Sequence, residues 1–227
     1  MKRILFIVVA VACFMSVANA QEINNPKHIF GVRAGVNFSK PTLTSDLFED
    51  MTNKFGVGFH VGGTYDIAMS KSHKWYFQTG LNVKYNSAKA ETFHEGIYHD
   101  AGEYNTYSNK YKALYLEIPA MFTRKIRITD DWGFQPAIGL SYAFGVWGKC
   151  NRENTKYEHG EAVGTVSEKK DLFSDDVLNG GANWTRSVIN GKLAVNFTYK
   201  HYLIGADIAY GFNGDLWGIG LSVGYNF

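Results

Sequence analysis

Residues 217–227 read WGIGLSVGYNF. Trp217, Ile219, Leu221, Val223, Tyr225 and Phe227 take the odd positions, and Gly218, Gly220, Ser222, Gly224 and Asn226 the even ones. Successive side chains of a strand point to opposite faces, so this stretch reads as a strand with one apolar face and one small or polar face. A soluble β-sandwich uses similar strands. Whether the pattern recurs, and what its second face carries, separates the two architectures.

It recurs seven more times, at 29–38, 55–67, 75–86, 114–123, 132–147, 192–199 and 201–212. In 201–212, Tyr202, Ile204, Ala206, Ile208, Tyr210 and Phe212 oppose His201, Gly205, Asp207 and Gly211. In 55–67, Phe55, Val57, Phe59, Val61, Tyr65 and Ile67 oppose Gly56, Gly58, His60, Gly62, Thr64 and Asp66. Across all eight segments the second face is mostly Gly, Ser, Asn and Gln with isolated charges. The solvated face of a sandwich is usually rich in Lys, Glu and Thr instead. A crowded polar lumen inside a narrow barrel fits this face better.

The longer segments also match the ~9–11 residues that cross a bilayer on a tilt. Aromatics close the ends of the apolar faces (Trp75 and Tyr85, Trp132 and Tyr142, Tyr202 and Tyr210, Trp217 and Tyr225), as interface girdles do. Residues 132–148 are uncharged, but Gly133, Pro136, Gly139, Gly145 and Gly148 with strict alternation favour a strand over a membrane helix. The expected fold is all-β: an eight-stranded antiparallel up-and-down transmembrane β-barrel of OmpA/OmpX-like size. Links at 68–74, 124–131 and 199–201 are short. With both termini periplasmic, 39–54, 87–113, 148–191 and 213–216 become the four outer loops. Short helices are expected near 172–179 and, capped by Ser45, at 46–51.

The start of the chain has the form of a cleaved signal peptide. Lys2 and Arg3 precede the apolar run Ile4–Val11, and Ala18-Asn19-Ala20 is an A-x-A cleavage site, which gives 1–20 as signal and 21–227 as the barrel domain. Cys13 raises a lipoprotein alternative, with a poorer signal before it. Cleavage removes two of the 23 basic residues and none of the 21 acidic ones, leaving an even balance. Nucleic acid therefore loses its usual electrostatic footprint. Cys150 would be the single remaining cysteine, so no intramolecular disulfide is possible. High glycine (24) and aromatic content (15%) with only 4 prolines suits many closely approaching strands.

Several of these segments resemble a known family. FGVRAGVNFS (30–39), FGVGFHVGG (55–63), WYFQTGLNVKYNSAKA (75–90), YLEIPAMF (115–122) and LWGIGLSVGYNF (216–227) resemble strands of the PorT-like outer-membrane β-barrel family of Bacteroidota, Leu116-Glu117-Ile118-Pro119 being the most specific block. Phe227 also looks like the C-terminal aromatic by which the assembly machinery recognises a barrel. The resemblance implies an eight-stranded barrel in the bacterial outer membrane, with outer-membrane lipid and that machinery as partners. It implies no defined activity.

Arg33, His60, Asp66, Lys84, Glu117 and Asp207 are the charged or titratable residues expected to face the lumen. They form either a salt-bridged plug, the preferred reading for so narrow an interior, or an ion path. In the outer loops, His94, Glu95, His99 and Asp100 offer metal-ligand types without a recognised spacing. Cys150 between Lys149 and Arg152 would be an activated loop thiol if its neighbours lower its pKa. His94 with Ser108, and His159 with Asp175 and Asp176, are the pairs that a rim hydrolase would need. No nucleophile elbow, zinc helix or phosphate loop is present, so no catalytic, metal or cofactor site is assigned. The expected role is non-enzymatic, structural or surface-binding through outer loops rich in aromatics (Phe93, Tyr98, Tyr104, Tyr107, Tyr111, Tyr157, Phe173). A lipid- or peptide-acting enzyme and a small pore are the alternatives, and the envelope partner is unidentified.

Overall fold

The computed structural model describes residues 26–41, 50–95, 104–173, 185–212 and 216–227. Ten strands form one antiparallel sheet: β1 (His28–Pro41), β2 (Asp50–Ala68), β3 (Trp75–Glu95), β4 (Tyr104–Arg124), β5 (Ile126–Arg127), β6 (Trp132–Glu158), β7 (Glu161–Asp171), β8 (Ser187–Tyr199), β9 (Tyr202–Gly211) and β10 (Leu216–Asn226). Eight of them close on themselves. β1 through β4 run side by side, β4 pairs with β6, and β6 continues through β8, β9 and β10 back to β1. β5 and β7 lie outside that ring, each paired with β6. All eight alternating segments of the sequence fall in ring strands, so the architecture is a closed barrel and not a two-sheet sandwich. Among the described residues no helix is long and apolar enough to cross a membrane.

Face assignment follows the sequence pattern. Phe30, Val32 and Val36 of β1, Ile204 and Ile208 of β9, and Leu221 and Val223 of β10 are exposed on the outer wall. A soluble chain rarely leaves an apolar surface of this extent to water, whereas lipid covers it without penalty. Neighbouring strands add ring contacts on that wall, such as Phe59 with Tyr85 (5.2 Å) and Phe134 with Phe197 (5.1 Å). One girdle sits at the turn end, where Trp132 meets Tyr199 at 5.0 Å and Tyr202 meets Tyr225 at 5.4 Å. The other includes Phe55 against Trp217 at 5.2 Å and Tyr210 against Phe212 at 6.2 Å. From Trp132 to Tyr142 along a tilted strand is ~25 Å, the height of an outer-membrane apolar band.

The long outer loops expected from the sequence are largely strand. β3, β4 and β6 run on to Glu95, Tyr104 and Glu158, and β7 turns back beside β6. Residues 149–158 alone carry β6 ~30 Å further along its direction. The expected helix at 46–51 fails where it can be seen, because Asp50 and Met51 belong to β2. Leu172 and Phe173 form a turn, and the rest of both expected helices lies outside the described residues. At their base these extensions turn small apolar residues inward and lysines outward, the reverse of the apolar-out alternation that marks the membrane strands.

One irregularity decides which side chains face inward beyond the band. Tyr115 pairs with Gly145 but Leu114 pairs with Trp147, leaving Val146 as an extra residue. A bulge of one residue inverts the parity of the strand beyond it. Val146 and Trp147 are both exposed, and from Gly148 onward the even positions turn inward.

Candidate functional site

The lumen is built from the small and polar face of each ring strand. A large interior side chain there usually lies across a glycine directly opposite on the next strand. His60 pairs with Gly35, Asp207 with Gly220, and Lys192 with Gly139. Arg33 pairs with Gly62 on one side and Gly224 on the other. The space is used: a Cβ added at Gly35 would fall 2.6 Å from the His60 ring, and one at Gly220 would fall 2.5 Å from the Asp207 carboxylate. Glycine therefore lets long polar side chains lie flat in an eight-stranded lumen that is otherwise too narrow for them.

All six expected lumen residues face inward. Glu117 is almost fully buried; it accepts a hydrogen bond from Lys192 Nζ at 2.8 Å and lies 3.8 Å from Lys84 Nζ. Lys192 also approaches Asp207 at 3.7 Å. Toward the turn end, Asp66 is held by Lys125 Nζ at 2.6 Å and accepts from Gln78 Nε2 at 2.7 Å. His60 Nδ1 donates to Asn37 Oδ1 at 2.6 Å, and Asn37 Nδ2 donates to the Tyr85 carbonyl at 3.2 Å. Arg33 stands apart: it feels the field of Asp66 and Asp207 but forms no ion pair with them, and its Nε is buried without a hydrogen-bond partner among the described residues. Lys125 and Lys192 join this network without having been expected in it. Lys192 lies on the polar face of its strand, which the alternation shows; Lys125 sits in a turn, where alternation gives no signal.

Two small cavities flank the Lys84–Glu117 pair. One, of about 60 Å³, is lined by Arg33, His60, Lys84, Glu117, Lys192 and Asp207 among others. The other, of about 40 Å³, also borders Lys84 and Glu117 and reaches Tyr115 and Trp217 toward the far end. Each has room for only a few waters, at ~10–15 Å³ apiece. Above them the lumen turns apolar. Ala88, Ala113, Tyr115, Ala143, Cys150 and Val188 cluster with Leu172, and Phe173 packs against that cluster. Leu172 is 1% exposed, and Phe173 meets the Tyr115 ring edge-on at 5.9 Å. Inward-facing Gly145 and Gly148 make the space; a Cβ at Gly145 would fall 2.3 Å from the Phe173 ring. The turn after β7 thus tucks an apolar stopper into the mouth of the barrel.

The other candidates separate. Cys150 is not a loop thiol. It lies in β6 beyond the apolar band, turned inward by the bulge, and it is buried. Burial pushes its pKa up and outweighs Arg152, which lowers it, so the activated-thiol expectation is corrected. His94 is in β3 with Asn105 as its cross-strand partner, whereas Ser108 pairs with Glu91 and Glu153. Three residues of register, ~10 Å, separate that expected hydrolase pair. His159 is an exposed residue at the tip of the β6–β7 hairpin, with a left-handed φ of 53°. Asp175, Asp176, His99, Asp100 and Tyr98 lie outside the described residues, as do Ala18 and Ala20. Among the described residues no group of three His, Cys, Asp or Glu is placed to hold a metal. Phe227 sits at the turn-end girdle, its amide donating to the Phe30 carbonyl at 2.8 Å and its ring meeting Tyr225 at 5.3 Å.

A closed ring with an apolar outer wall, two aromatic girdles and a charged lumen defines a transmembrane β-barrel. Residues 19–227 match the model of the outer membrane protein beta-barrel domain family, and the chain belongs to that family. It is an outer-membrane β-barrel protein. No curated protein matches it. Among solved structures, it is similar to the attachment invasion locus protein Ail of Yersinia pestis, at 14% identity and TM-score 0.42, covering 89% of this chain and all of that one. OprG of Pseudomonas aeruginosa is 11% identical with TM-score 0.40, over 88% of this chain and 95% of that one. Neisserial surface protein A is 11% identical with TM-score 0.35, over 87% and 95% respectively.

Proposed function

We propose that this is a non-enzymatic barrel that binds an extended segment of an extracellular protein along the edge of its projecting sheet. The observation that carries the reading is β7. Among the described residues it pairs only with β6, and residues 161–169 are exposed throughout. A strand with one unpaired edge offers a row of backbone donors and acceptors to an incoming strand. Its middle, Ala162–Ser167, bears no charge and shows Val163 and Val166 to solvent, while Glu168, Lys169, Lys170 and Asp171 guard its base. The lumen supports this reading over a pore, because a charged network fills it at mid-height and Leu172 and Phe173 pack into its mouth.

In this proposal the short turns and both termini lie in the periplasm, and the projecting sheet stands outside. Cleavage after Ala20, recognition of Phe227 by the assembly machinery and membership of the PorT-like branch belong to the same proposal. So does a lipid contact. Lys112 and Lys149 face each other in register on the outer wall just beyond Trp147. Like charges directly opposite repel, and a lipid phosphate between them relieves that.

The test uses cells displaying the chain and a panel of immobilised extracellular proteins. Single prolines placed along 163–166 should abolish retention at alternate positions, where the edge amide is lost, without altering the heat-dependent gel shift of the folded barrel. Retention that survives replacement of 153–168 by a tight turn would locate binding elsewhere.

A further inference from the structure

We propose that the lumen holds a small inorganic anion, of the halide class, against the Arg33 guanidinium. The charges inside the barrel do not balance. The cavity of about 60 Å³ at membrane depth is lined by three cations, Arg33, Lys84 and Lys192, and by two carboxylates, Glu117 and Asp207. The third inward carboxylate, Asp66, is already taken by Lys125 and Gln78. Glu117 is shared between Lys192 and Lys84, and Asp207 lies beside Lys192. Among the described residues one positive charge is left over, and of the cavity's three cations Arg33 is the one without an ion pair.

An uncompensated guanidinium inside a bilayer-embedded lumen is costly, because lipid surrounds the wall and only a few waters fit beside it. An arginine also stays charged where a lysine can release its proton. An anion beside the guanidinium neutralises the surplus with every lysine still charged. The neighbours suit an anion: Asn82 and Gln78 side-chain amides and Thr64 and Ser222 hydroxyls border the same cavity as Arg33. The buried Arg33 Nε is a donor without an acceptor among the described residues. A volume of about 60 Å³ accommodates a halide with several waters and is too small for an anion of gluconate's size. Glycines flank Arg33 in register: Gly224 leaves room for the Arg33 stem, 3.0 Å from where a Cβ would fall, and Gly62 yields its space to the Asn82 side chain.

The lumen is stoppered, so the anion is introduced during folding. Full-length barrel is refolded into detergent in sodium bromide or in sodium gluconate at equal ionic strength, and thermal unfolding is followed by the gel shift. The midpoint should rise saturably with bromide, by ~5–11 °C at a hundredfold excess over the dissociation constant. Arg33→Gln should fold in gluconate and show no bromide dependence. Equal wild-type midpoints in the two salts, or a bromide effect that persists in R33Q, overturns the proposal. Should R33Q fail to fold, crystals of the wild-type barrel grown in bromide decide instead. An anomalous peak beside Arg33 supports the site, and no peak in the lumen refutes it.

Discussion

Replacing Glu117 by Gln removes the charge at the centre of the lumen while keeping its shape. In the native barrel one carboxylate oxygen accepts from Lys192 Nζ at 2.8 Å and the other lies 3.8 Å from Lys84 Nζ, with Glu117 only 2% exposed. Breaking a buried pair by neutralising one partner costs ~3–5 kcal/mol, most of it from the charge left behind. Here Lys192 keeps Asp207 at 3.7 Å and Lys84 borders both cavities, so some compensation survives. The lower end, about 3 kcal/mol, is expected for Glu117→Gln. Lys84→Gln, at the longer contact, should cost nearer ~1 kcal/mol. Adding Lys84→Met to Glu117→Gln should recover part of the loss, because it removes the ammonium whose ion pair was with Glu117. Urea unfolding of the detergent-folded barrel, monitored by tryptophan fluorescence and the gel shift, measures all three. If Glu117→Gln stays within about 1 kcal/mol of wild type with an unchanged denaturant slope, the lumen is wet enough to solvate these charges, and the plug reasoning fails.

Cys150 should resist maleimide at about pH 7.5 in the folded barrel and react quickly once unfolded, since burial both hides the thiol and holds it protonated; rapid labelling of the folded form would contradict its placement. Gly145→Val should drive Phe173 out of the mouth and speed chymotryptic cleavage there, and an unchanged cleavage rate would mean that the stopper is not seated on this glycine. Lys112→Gln with Lys149→Gln should weaken the barrel's preference for anionic over zwitterionic vesicles by ~1 kcal/mol per lysine. A similar loss in both vesicle types would rule out a headgroup contact. Planar-bilayer recordings of the wild type should show no discrete conductance steps, and their appearance would reinstate the pore.

The membrane-embedded part of the fold is legible in the sequence because lipid outside and a packed lumen inside impose period-two alternation on every strand. Parity alone places Arg33, His60 and Glu117 inward. It does not find all their partners, since Lys125 reaches Asp66 from a turn. Above the band the outer face is polar and the inner face holds only small or scattered apolar residues, so β7 and the extensions of β3, β4 and β6 carry no apolar-out alternation and look like loops. Cys150 escapes the sequence for a further reason. The bulge at Val146 reverses parity, and nothing in GVWGKC distinguishes a bulged strand from one that ends.

The glycines opposite the lumen charges also bear on how the barrel reaches its correct pairing. A strand that slips by two residues keeps its apolar side toward lipid, so hydrophobicity cannot reject the error. In the β1–β2 pair such a slip would set His60 against Arg33 or Asn37 instead of Gly35. In the β1–β10 pair it would set Arg33 against Ser222 or Asn226 instead of Gly224. Misaligned strands would then collide inside the lumen, so the interior acts as a key that only one alignment turns.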